Sequence, residues 1–304
     1  MVLTVIPARV VWVADDGTGD FLLLSKALFS IIDASASNPY VVKIAPGVYT
    51  ETSTVVLKSY VDVEGSGQEV TTITCECGSQ DDPGQTAATV SAHSVGPAEI
   101  RHITINNTGG DPNSIGVHIL SGGNREVSML HVTATATGGD VWNFGVYILE
   151  SSPAMTDVTA TATATGGTHS FGVRNEGVWD GHSLPSMNNV TATATGGDYN
   201  YGVWNGQSSP SMNNVTATAT ASAGTSYGVY NSESSSPSIR NSSITGTSQN
   251  NKSYSIYNQS PASAFVADTM LEGPAIRGDG LTCVGAYTEL FVALDLVCDP
   301  LPLP

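Results

Sequence analysis

The chain has 304 residues, 12% of them charged, and 10 Lys and Arg against 27 Asp and Glu give a formal net charge of -17. This acidity opposes the phosphate neutralisation that nucleic-acid binding requires, and it repels anionic membranes. The composition is rich in Ser, Thr, Asn and Gly, and no apolar run of about 18 residues could span a bilayer. We therefore expect polar β-structure with many turns, no nucleic-acid partner and no membrane insertion.

The amino-terminal part predicts strands around one short helix. Val10 to Val13 is predicted as a strand, and helical spacing within Phe21 to Ala34 predicts a helix with Ser25 as its N-cap. The apolar positions of that helix are Ala27, Leu28, Ile31 and Ile32. Further strands are expected at Tyr40 to Ile44, Val55 to Leu57, Val61 to Glu64, Thr71 to Cys75 and Thr86 to Ser91.

From Ile100 onward the chain repeats one unit. The Val that opens a Val-Thr-Ala-Thr-Ala-Thr segment stands at 132, 158, 190 and 215, with spacings of 26, 32 and 25 residues. A second marker, a Gly-Val pair, begins at Gly116, Gly145, Gly172, Gly202 and Gly228. Alternating strands broken by Gly, Ser-Pro and Asn-Asn favour β-coils over helical repeats.

The repeats predict the fold class as all-β, a single-stranded right-handed parallel β-helix with a short amino-terminal capping helix. We expect a single β-helix domain over residues 1–304. Its parts are a strand and helix cap over 1–50, coils over 51–265 that become regular from about residue 100, and a carboxyl-terminal cap over 266–304.

Side chains alternate between the two faces of a strand, which divides the repeated residues into inner and outer columns. Val132, Ala134 and Ala136 are expected inside, and their small size predicts a flattened interior. An inward Val203 places Gly202 and Trp204 outside. The expected inner ladders are Phe144, Phe171, Tyr201, Tyr227 and Tyr254, and beside them Asn175, Asn205, Asn231 and Asn258.

The four cysteines leave the redox compartment open. Cys283 and Cys298 bracket a short terminal loop and are a possible disulfide. Cys75 and Cys77 share one face of a strand, which is a poor geometry for bonding to each other. Burial of all four as small hydrophobic side chains is the alternative.

The amino-terminal part, to about residue 120, resembles the start of a pectin methylesterase. The segments that carry the resemblance are Val13 to Phe21, Ala27-Leu28, Pro46 to Glu51, Val63 to Gly67, Thr86 to Val90 and Ile103 to Gly110. In that family, and in the broader pectin lyase-like group, the fold is a right-handed parallel β-helix capped by an amino-terminal helix. The resemblance therefore implies the same fold as the repeats.

The family's catalytic residues have no counterpart in this sequence. The positions of its two catalytic Asp fall near Asn143 to Tyr147 and Ser170 to Arg174, and neither segment holds an Asp. The Leu-Gly-Arg-Pro-Trp segment, which supplies the family's Arg, is also missing. Glu51 remains, in a segment that is largely structural in the family. We therefore expect no catalytic residue and a scaffold without esterase chemistry.

The outward column of the Gly-Val strands is the main candidate site. It lies on the sheet that carries the substrate cleft in the pectin methylesterases. Aromatic rings beside Gly suit stacking on sugar rings, and Arg174 suits a uronate carboxylate. The alternative is that these aromatics merely cover the sheet. The column contains His118, Tyr147, Arg174, Trp204, Tyr230 and Tyr257.

The outward threonines are a second candidate. Threonines two apart in a strand are separated by about 6.6 Å and neighbouring coils by about 4.8 Å, which gives a grid similar to those of ice-binding β-solenoids. The β-propensity of Thr explains the pattern without a ligand, and the unequal coil spacing and one extra Thr favour that explanation. The grid contains Thr133, Thr135, Thr159, Thr161, Thr191, Thr193, Thr216 and Thr218.

The remaining motifs do not predict a catalytic or metal-binding site. Asp180-Gly181-His182 is similar to a polygalacturonase segment but lacks the clustered Asp residues of an inverting hydrolase, so we expect a loop. Asp140 and Asp198 each follow Gly-Gly and could bind calcium, but no cluster of oxygen ligands accompanies them. We expect no cofactor and no metal.

These observations favour a non-catalytic extracellular or cell-surface protein that binds polysaccharide or a cell-surface glycan, or that acts as an adhesion module. Met1 is not followed by a signal-peptide pattern, so a mature secreted form and a cytoplasmic protein both remain open. One alternative function is an enzyme acting on acidic polysaccharide, and another is ice binding through the Thr array. A third is a filament or homo-oligomer subunit, in which the apolar strands Val2 to Ile6 and Leu290 to Val297 join coil ends rather than cap them.

Overall fold

The computed structural model describes residues 7–78, 85–109, 112–120, 127–177, 183–249, 252–273 and 278–301. These residues wind into an all-β, right-handed parallel solenoid of about 9 turns, which is only 3% helical. The α-helix is Leu24–Ser30, and a 3-10 turn covers Gln85–Ala87. Within the described part of the chain, no helix has the length and apolar character to cross a membrane.

The described strands form two parallel sheets of 17 and eight strands, which we call the long sheet and the aromatic sheet. The strands of the long sheet are Arg9–Val13, Tyr40–Ile44, Gly47–Glu51, Val61–Glu64, Thr71–Cys75, Ala98–Asn107, Val127–Thr137, Ala154–Thr163, Ser186–Thr195, Ser211–Asn213, Thr216–Ala221, Ser238–Arg240, Ser243–Ser248, Ala264–Ala267, Met270–Glu272, Leu281–Val284 and Tyr287–Thr288. The strands of the aromatic sheet are Val55–Val56, Ala88–His93, Asn113–Leu120, Trp142–Leu149, His169–Glu176, Tyr199–Gly206, Thr225–Ser232 and Ser253–Asn258.

The long sheet bends in each regular coil at one residue with left-handed backbone conformation. Asn189 is typical, with a φ of 54°, and Asn, Asp and His adopt this conformation more readily than most side chains. The bend separates a short first half of each strand from a second half that carries the Thr-Ala repeat. The corner residues are His102, His131, Asp157, Asn189, Asn214, Asn241 and Asp268.

The interior is narrow where the aromatic sheet faces the Thr-Ala repeat. Val132, Ala134 and Ala136 are fully buried, as predicted. A Cβ atom added to Gly145 would lie 2.6 Å from the backbone nitrogen of Thr161. The two sheets therefore approach almost backbone to backbone, and glycine leaves room for that contact.

This close contact corrects the predicted orientation of the Gly-Val strands. Gly145 and Val146 both face inward, so the two-residue alternation is interrupted and the residues before the glycine change face. Asn143 lies inside, where its side chain bonds the backbone of Gly139 at 2.8 and 2.9 Å. Gly202, predicted outside, likewise faces the interior. The ring column predicted as an inner ladder packs outside the main core, namely Phe144, Phe171, Tyr201, Tyr227 and Tyr254.

The predicted Asn ladder is confirmed inside the coils. Asn175 Nδ2 donates to Asn205 Oδ1 at 2.8 Å, and Asn205 Nδ2 donates to Asn231 Oδ1 at 2.9 Å. Asn231 Nδ2 continues the series to Asn258 Oδ1 at 2.7 Å. All four side chains are buried, and three amide–amide hydrogen bonds link them across four coils where water is excluded.

The helix is shorter than predicted and is capped by a different residue. Leu24, Ala27 and Leu28 are buried on the coils, whereas Ile32 is 92% exposed. Ser25 lies inside the helix, and the buried Glu51 accepts hydrogen bonds from its N–H at 3.0 Å and its hydroxyl at 2.6 Å. A carboxylate at this end of a helix satisfies unpaired N–H groups and is stabilised by their dipoles. Glu51 therefore has a structural role here.

Both cysteine pairs are joined in the structure. The Cys283–Cys298 bond ties the strand Leu281–Val284 to the terminal segment. Cys75 and Cys77 are also bonded, which contradicts the predicted poor geometry. The strand ends at Cys75, and the two Cα atoms are 5.2 Å apart, closer than the about 6.6 Å that separates alternate residues of a straight parallel strand.

The carboxyl-terminal segment also departs from prediction. Residues 290–297 do not form the predicted strand, because Phe291 has a φ of 58° and the segment makes only isolated bridges in the described structure. Leu294 is buried against the last coil, while Leu290 and Phe291 are exposed. Strand pairing continues to Thr288, beyond the predicted end of the coils at residue 265. Val2 to Ile6 lies outside the described residues, and joining of coil ends in an oligomer stays a prediction.

Candidate functional site

The outer face of the aromatic sheet carries three neighbouring columns of side chains, which we call the aromatic face. In the central column the ring centroids of Phe171 and Tyr201 are 4.8 Å apart and those of Tyr201 and Tyr227 are 5.1 Å apart. The central column contains Phe144, Phe171, Tyr201, Tyr227 and Tyr254. The other two columns are Tyr147, Arg174, Trp204, Tyr230 and Tyr257 on one side, and Trp142, His169 and Tyr199 on the other.

The aromatic columns follow from in-register pairing of parallel strands. Tyr201 pairs with Phe171 in the preceding coil and with Tyr227 in the next, so equivalent residues lie one strand spacing apart. That spacing is about 4.8 Å, which lets neighbouring rings stack. The repeat in the sequence is thereby converted into a continuous surface of rings.

The predicted binding column is only partly accessible. Trp204, Tyr230 and Tyr257 lie outward and keep part of their rings exposed. His118 and Tyr147 belong to the same column but are 2% and 4% exposed, so they do not offer a free ring face. The accessible part of the aromatic face therefore begins at the strand His169–Glu176 and continues to Ser253–Asn258.

His118 is a buried imidazole. Neither ring nitrogen has a hydrogen-bond partner in the described part of the chain, and the ring stacks on Tyr147 with centroids 5.0 Å apart. Burial, and to a smaller extent the neighbouring His93, lowers the pKa of His118 to about 4. His118 is therefore neutral at pH 7.

Acidification is expected to destabilise the protein through His118. The pKa is 6.5 in an unfolded chain and about 4 in the folded protein. Between these values the unfolded state binds a proton that the folded state does not bind. The free energy of unfolding should therefore fall as the pH drops from 6.5 towards 4, by about 3 kcal/mol at most. Urea unfolding of wild type and His118→Phe from pH 7 to 4.5 measures this, and parallel pH curves for the two proteins would refute it.

Arg174 lies at the centre of the aromatic face between two rings. Its guanidinium carbon is 5.3 Å from the ring centroid of Tyr147 and 4.6 Å from that of Trp204. Its Nη2 contacts Glu176 Oε2 at 2.9 Å, and the hydroxyl of Tyr147 donates to the same oxygen at 2.7 Å. Nε of Arg174 is buried and has no hydrogen-bond partner among the described residues.

Tyr201 and Tyr227 of the central column remain protonated at neutral pH. Burial raises the pKa of Tyr201, and burial together with neighbouring tyrosines raises the pKa of Tyr227 to about 12. Their hydroxyl groups are therefore hydrogen-bond donors beside the ring faces, a combination that suits sugar rings with their apolar faces and peripheral hydroxyl groups.

Carboxylates are scarce on this face. On the described strands of the aromatic sheet, Glu176 is the one acidic residue and Arg174 the one Lys or Arg. The strands that correspond to the family's two Asp positions are Trp142–Leu149 and His169–Glu176, and neither holds an Asp. The prediction that this chain has no catalytic residue stays a prediction.

The remaining predicted residues lie elsewhere. The Thr array is on the outer face of the long sheet, with Thr133, Thr159 and Thr191 in paired register. Asp140 and Asp198 are exposed in the Gly-Gly turns, and the described residues contain no group of three or more metal-ligating side chains. Asp180-Gly181-His182 lies outside the described residues.

Sequence reasoning did not identify two parts of the aromatic face. The central ring column was assigned to the interior, and Glu176 was not considered as a partner of Arg174. The signal for the first was present, since a Gly repeated before each Val indicates a close backbone approach on the inner face. The pairing of Glu176 with Arg174 was also indicated locally, because residues two apart in a strand share a face.

Comparison with known proteins supports the resemblance. Residues 10–136, less than half of the chain, match the pectinesterase family. No curated protein matches the sequence at a significant level. Among solved structures, the pectin methylesterase from carrot has 16% identity and a TM-score of 0.59, covering 93% of this chain and 90% of that chain.

Two further solved structures share the fold. The pectin methylesterase from Erwinia chrysanthemi has 12% identity and a TM-score of 0.51, covering 99% of this chain and 94% of that chain. A pectin methylesterase in complex with a hexasaccharide has 12% identity and a TM-score of 0.50, with the same coverages of 99% and 94%. These similarities show a common parallel β-helix fold.

Proposed function

We propose that the aromatic face binds a pectin-type acidic polysaccharide that is largely esterified. The observation that carries this proposal is the accessible stack of rings that follows Arg174 along the aromatic face. Trp204 and Tyr230 stack with centroids 6.4 Å apart, and Tyr230 and Tyr257 follow at 5.3 Å. A column of this kind offers one ring per coil to successive sugar units.

The charge balance defines the kind of polysaccharide. The chain carries a net charge of -17, so a fully ionised polyuronate is repelled over long range. Arg174 provides one local positive charge, and Glu176 already neutralises part of it. Esterified uronates are neutral and suit the rings, while a single free carboxylate suits the positive charge of Arg174.

Replacing Trp204 and Tyr230 by Ala together is expected to weaken binding to highly methyl-esterified pectin at least tenfold, or about 1.4 kcal/mol. The loss follows from removal of two stacking surfaces. Affinity electrophoresis in gels containing pectin or polygalacturonate measures the effect. Wild type should be retarded more by esterified pectin than by polygalacturonate.

A matched control is Trp12→Ala, because Trp12 is an exposed Trp, 51% accessible, on the long sheet rather than the aromatic sheet. It should bind as wild type does. Absence of wild-type binding to either polymer, or equal binding by the double variant, would exclude the aromatic face as the binding site.

Two other findings support a polysaccharide ligand outside the cell. A pectin methylesterase with the same fold has been solved with a bound hexasaccharide. The two disulfides are of the kind that persists in oxidising compartments. An extracellular or cell-surface location agrees with both.

A second candidate function is ester hydrolysis, favoured by the pectinesterase match over residues 10–136. In an esterase whose site is the aromatic face, Glu176 would take a proton from water as the water oxygen attacks the ester carbonyl. Glu176 would then return this proton to the departing methoxide as the tetrahedral intermediate collapses, which releases methanol and leaves a carboxylic acid that ionises in water. Arg174 would orient Glu176 through their 2.9 Å contact.

Methanol release from esterified pectin distinguishes the two candidates. A hydrolase that depends on Glu176 would release methanol, and Glu176→Gln would abolish the release while pectin binding persists. Binding without methanol release would exclude the esterase and leave the binding protein.

A further inference from the structure

The threonines of the long sheet form a regular two-dimensional array. Four consecutive strands each contribute three outward Thr, and every one is paired in register with its equivalent in the next coil. The spacing is about 6.6 Å along the strand and about 4.8 Å between coils. The array contains Thr133, Thr135, Thr137, Thr159, Thr161, Thr163, Thr191, Thr193, Thr195, Thr216, Thr218 and Thr220, and we call it the Thr face.

The unequal lengths of the repeats do not disturb this array. The Val residues at 132, 158 and 190 are paired directly, although 26 and 32 residues separate them. The additional residues lie between Thr163 and Ser186, outside the strands that carry the array. The additional Thr165 also lies beyond the paired strand, so the register across the four coils is preserved.

Gly-Gly turns border the Thr face along one side. Gly138-Gly139 and Gly196-Gly197 directly follow their strands, and the exposed Asp140 and Asp198 come after these glycines. The opposite edge is the corner column of Asp157, Asn189 and Asn214. Asn189 Nδ2 donates to Asp157 Oδ1 at 2.9 Å, which holds these corner side chains to one another.

The hydroxyl groups at the centre of the Thr face are available. Among the residues that the structure describes, no protein group bonds the side-chain hydroxyls of Thr159, Thr161, Thr191 and Thr193, whereas Thr163 and Thr195 at the edge share a contact of 3.3 Å. Behind the face, Ala160 and Ala192 are fully buried and the aromatic sheet is in close contact. The hydroxyls therefore stand on a stiff support in fixed relative positions.

We propose that the Thr face binds ice. Each Thr presents a hydroxyl, which both donates and accepts, beside a methyl group that water can surround but not bond. Liquid water gains little from a periodic surface, because its molecules hold no fixed positions. The surface of an ice crystal is periodic in two directions, as the Thr face is. A rigid array can therefore form many weak contacts with ice at once, without further ordering of the protein.

A crystalline polysaccharide is the competing ligand for a flat face. The Thr face carries no aromatic ring and no charged side chain among its members, unlike the aromatic face, so it lacks the groups that stack on sugar rings. Hydroxyls and methyls in a regular array favour ordered water.

The test measures inhibition of ice recrystallisation and thermal hysteresis by the full chain. Wild type should inhibit both, and the double variant Thr161→Tyr with Thr193→Tyr should lose at least tenfold in recrystallisation inhibition, because two protruding rings prevent flat contact. Circular dichroism establishes that the variant remains folded.

Ser186→Tyr is the matched control, since Ser186 is exposed on the same strand as Thr193 but on the other side of the corner at Asn189. It should retain full activity, as should Trp204→Ala on the aromatic face. No effect of wild type on ice, or equal activity of the folded double variant, would overturn the proposal. Binding to crystalline cellulose that the Thr variants abolish, without any effect on ice, would overturn it in favour of polysaccharide.

Discussion

Gly172→Ala is expected to lower the free energy of unfolding by about 3 kcal/mol, although it adds a single methyl group. The new Cβ would lie 2.6 Å from Thr193 N, 2.7 Å from Gly202 O and 2.8 Å from Ala192 C. All three are backbone atoms, and they belong to strands that are paired on both sides. The sheets would have to separate locally, which loses contacts in neighbouring coils as well. Urea unfolding followed by circular dichroism measures the change.

Gly96→Ala is the control for this substitution. An added Cβ at Gly96 meets only the Ser59 side chain, at 3.2 Å from its Oγ, and a small shift of this side chain relieves the contact while its Oγ still accepts from the Gly96 N–H. The control should therefore cost less than about 1 kcal/mol. Equal free energies of unfolding for the two variants would contradict the conclusion that the two sheets are in close backbone contact at Gly172.

Asn205→Leu is expected to destabilise the protein by about 2 to 5 kcal/mol. Leu has the same branching of side-chain heavy atoms, but both ladder bonds of Asn205 are lost, and its methyl groups cannot approach the neighbouring amides as closely as those bonds do. Asn175 Nδ2 then loses its 2.8 Å acceptor and Asn231 Oδ1 loses its 2.9 Å donor. Both groups are buried, so water cannot replace the missing partner. The same urea titration measures the loss.

The exposed corner of the long sheet offers a matched control with the same hydrogen bonds. Asn213 Nδ2 donates to Asn188 Oδ1 at 3.0 Å, and Asn213 Oδ1 accepts from Asn241 Nδ2 at 2.9 Å. Asn213→Leu removes two equivalent bonds where water can take their place, so the expected cost is below about 1 kcal/mol. If Asn205→Leu and Asn213→Leu lowered the free energy of unfolding equally, burial would not determine how much the Asn ladder stabilises the protein.

The close approach of the two sheets also determines how the two proposed binding surfaces are related. Gly145 of the aromatic sheet faces the backbone of Thr161 in the long sheet. The aromatic face and the Thr face are therefore the two outer surfaces of one thin double layer. Ligands on the two faces cannot touch each other, and side-chain substitutions on one face should leave binding at the other unchanged.

The sequence by itself determined the fold class, the order of the strands and much of the inner packing. Periodicity within a strand and repetition between coils are local properties, and the Val-Thr-Ala-Thr-Ala-Thr unit carries both. The inward Ala columns and the ladder from Asn175 to Asn258 follow from them. The outward position of Trp204 was predicted for the same reason.

Only the tertiary structure decided which ring columns face outward and which of their members a ligand can reach. Alternation fails at Gly145 and its equivalents because the opposite sheet approaches so closely that a residue without a Cβ must face it. His118 and Tyr147 are covered although their strand position is outward. The Ser25 hydroxyl donates a hydrogen bond to Glu51, which is 26 residues away in the chain. Each outcome depends on distances between segments far apart in the chain, which a local pattern of residue types does not contain.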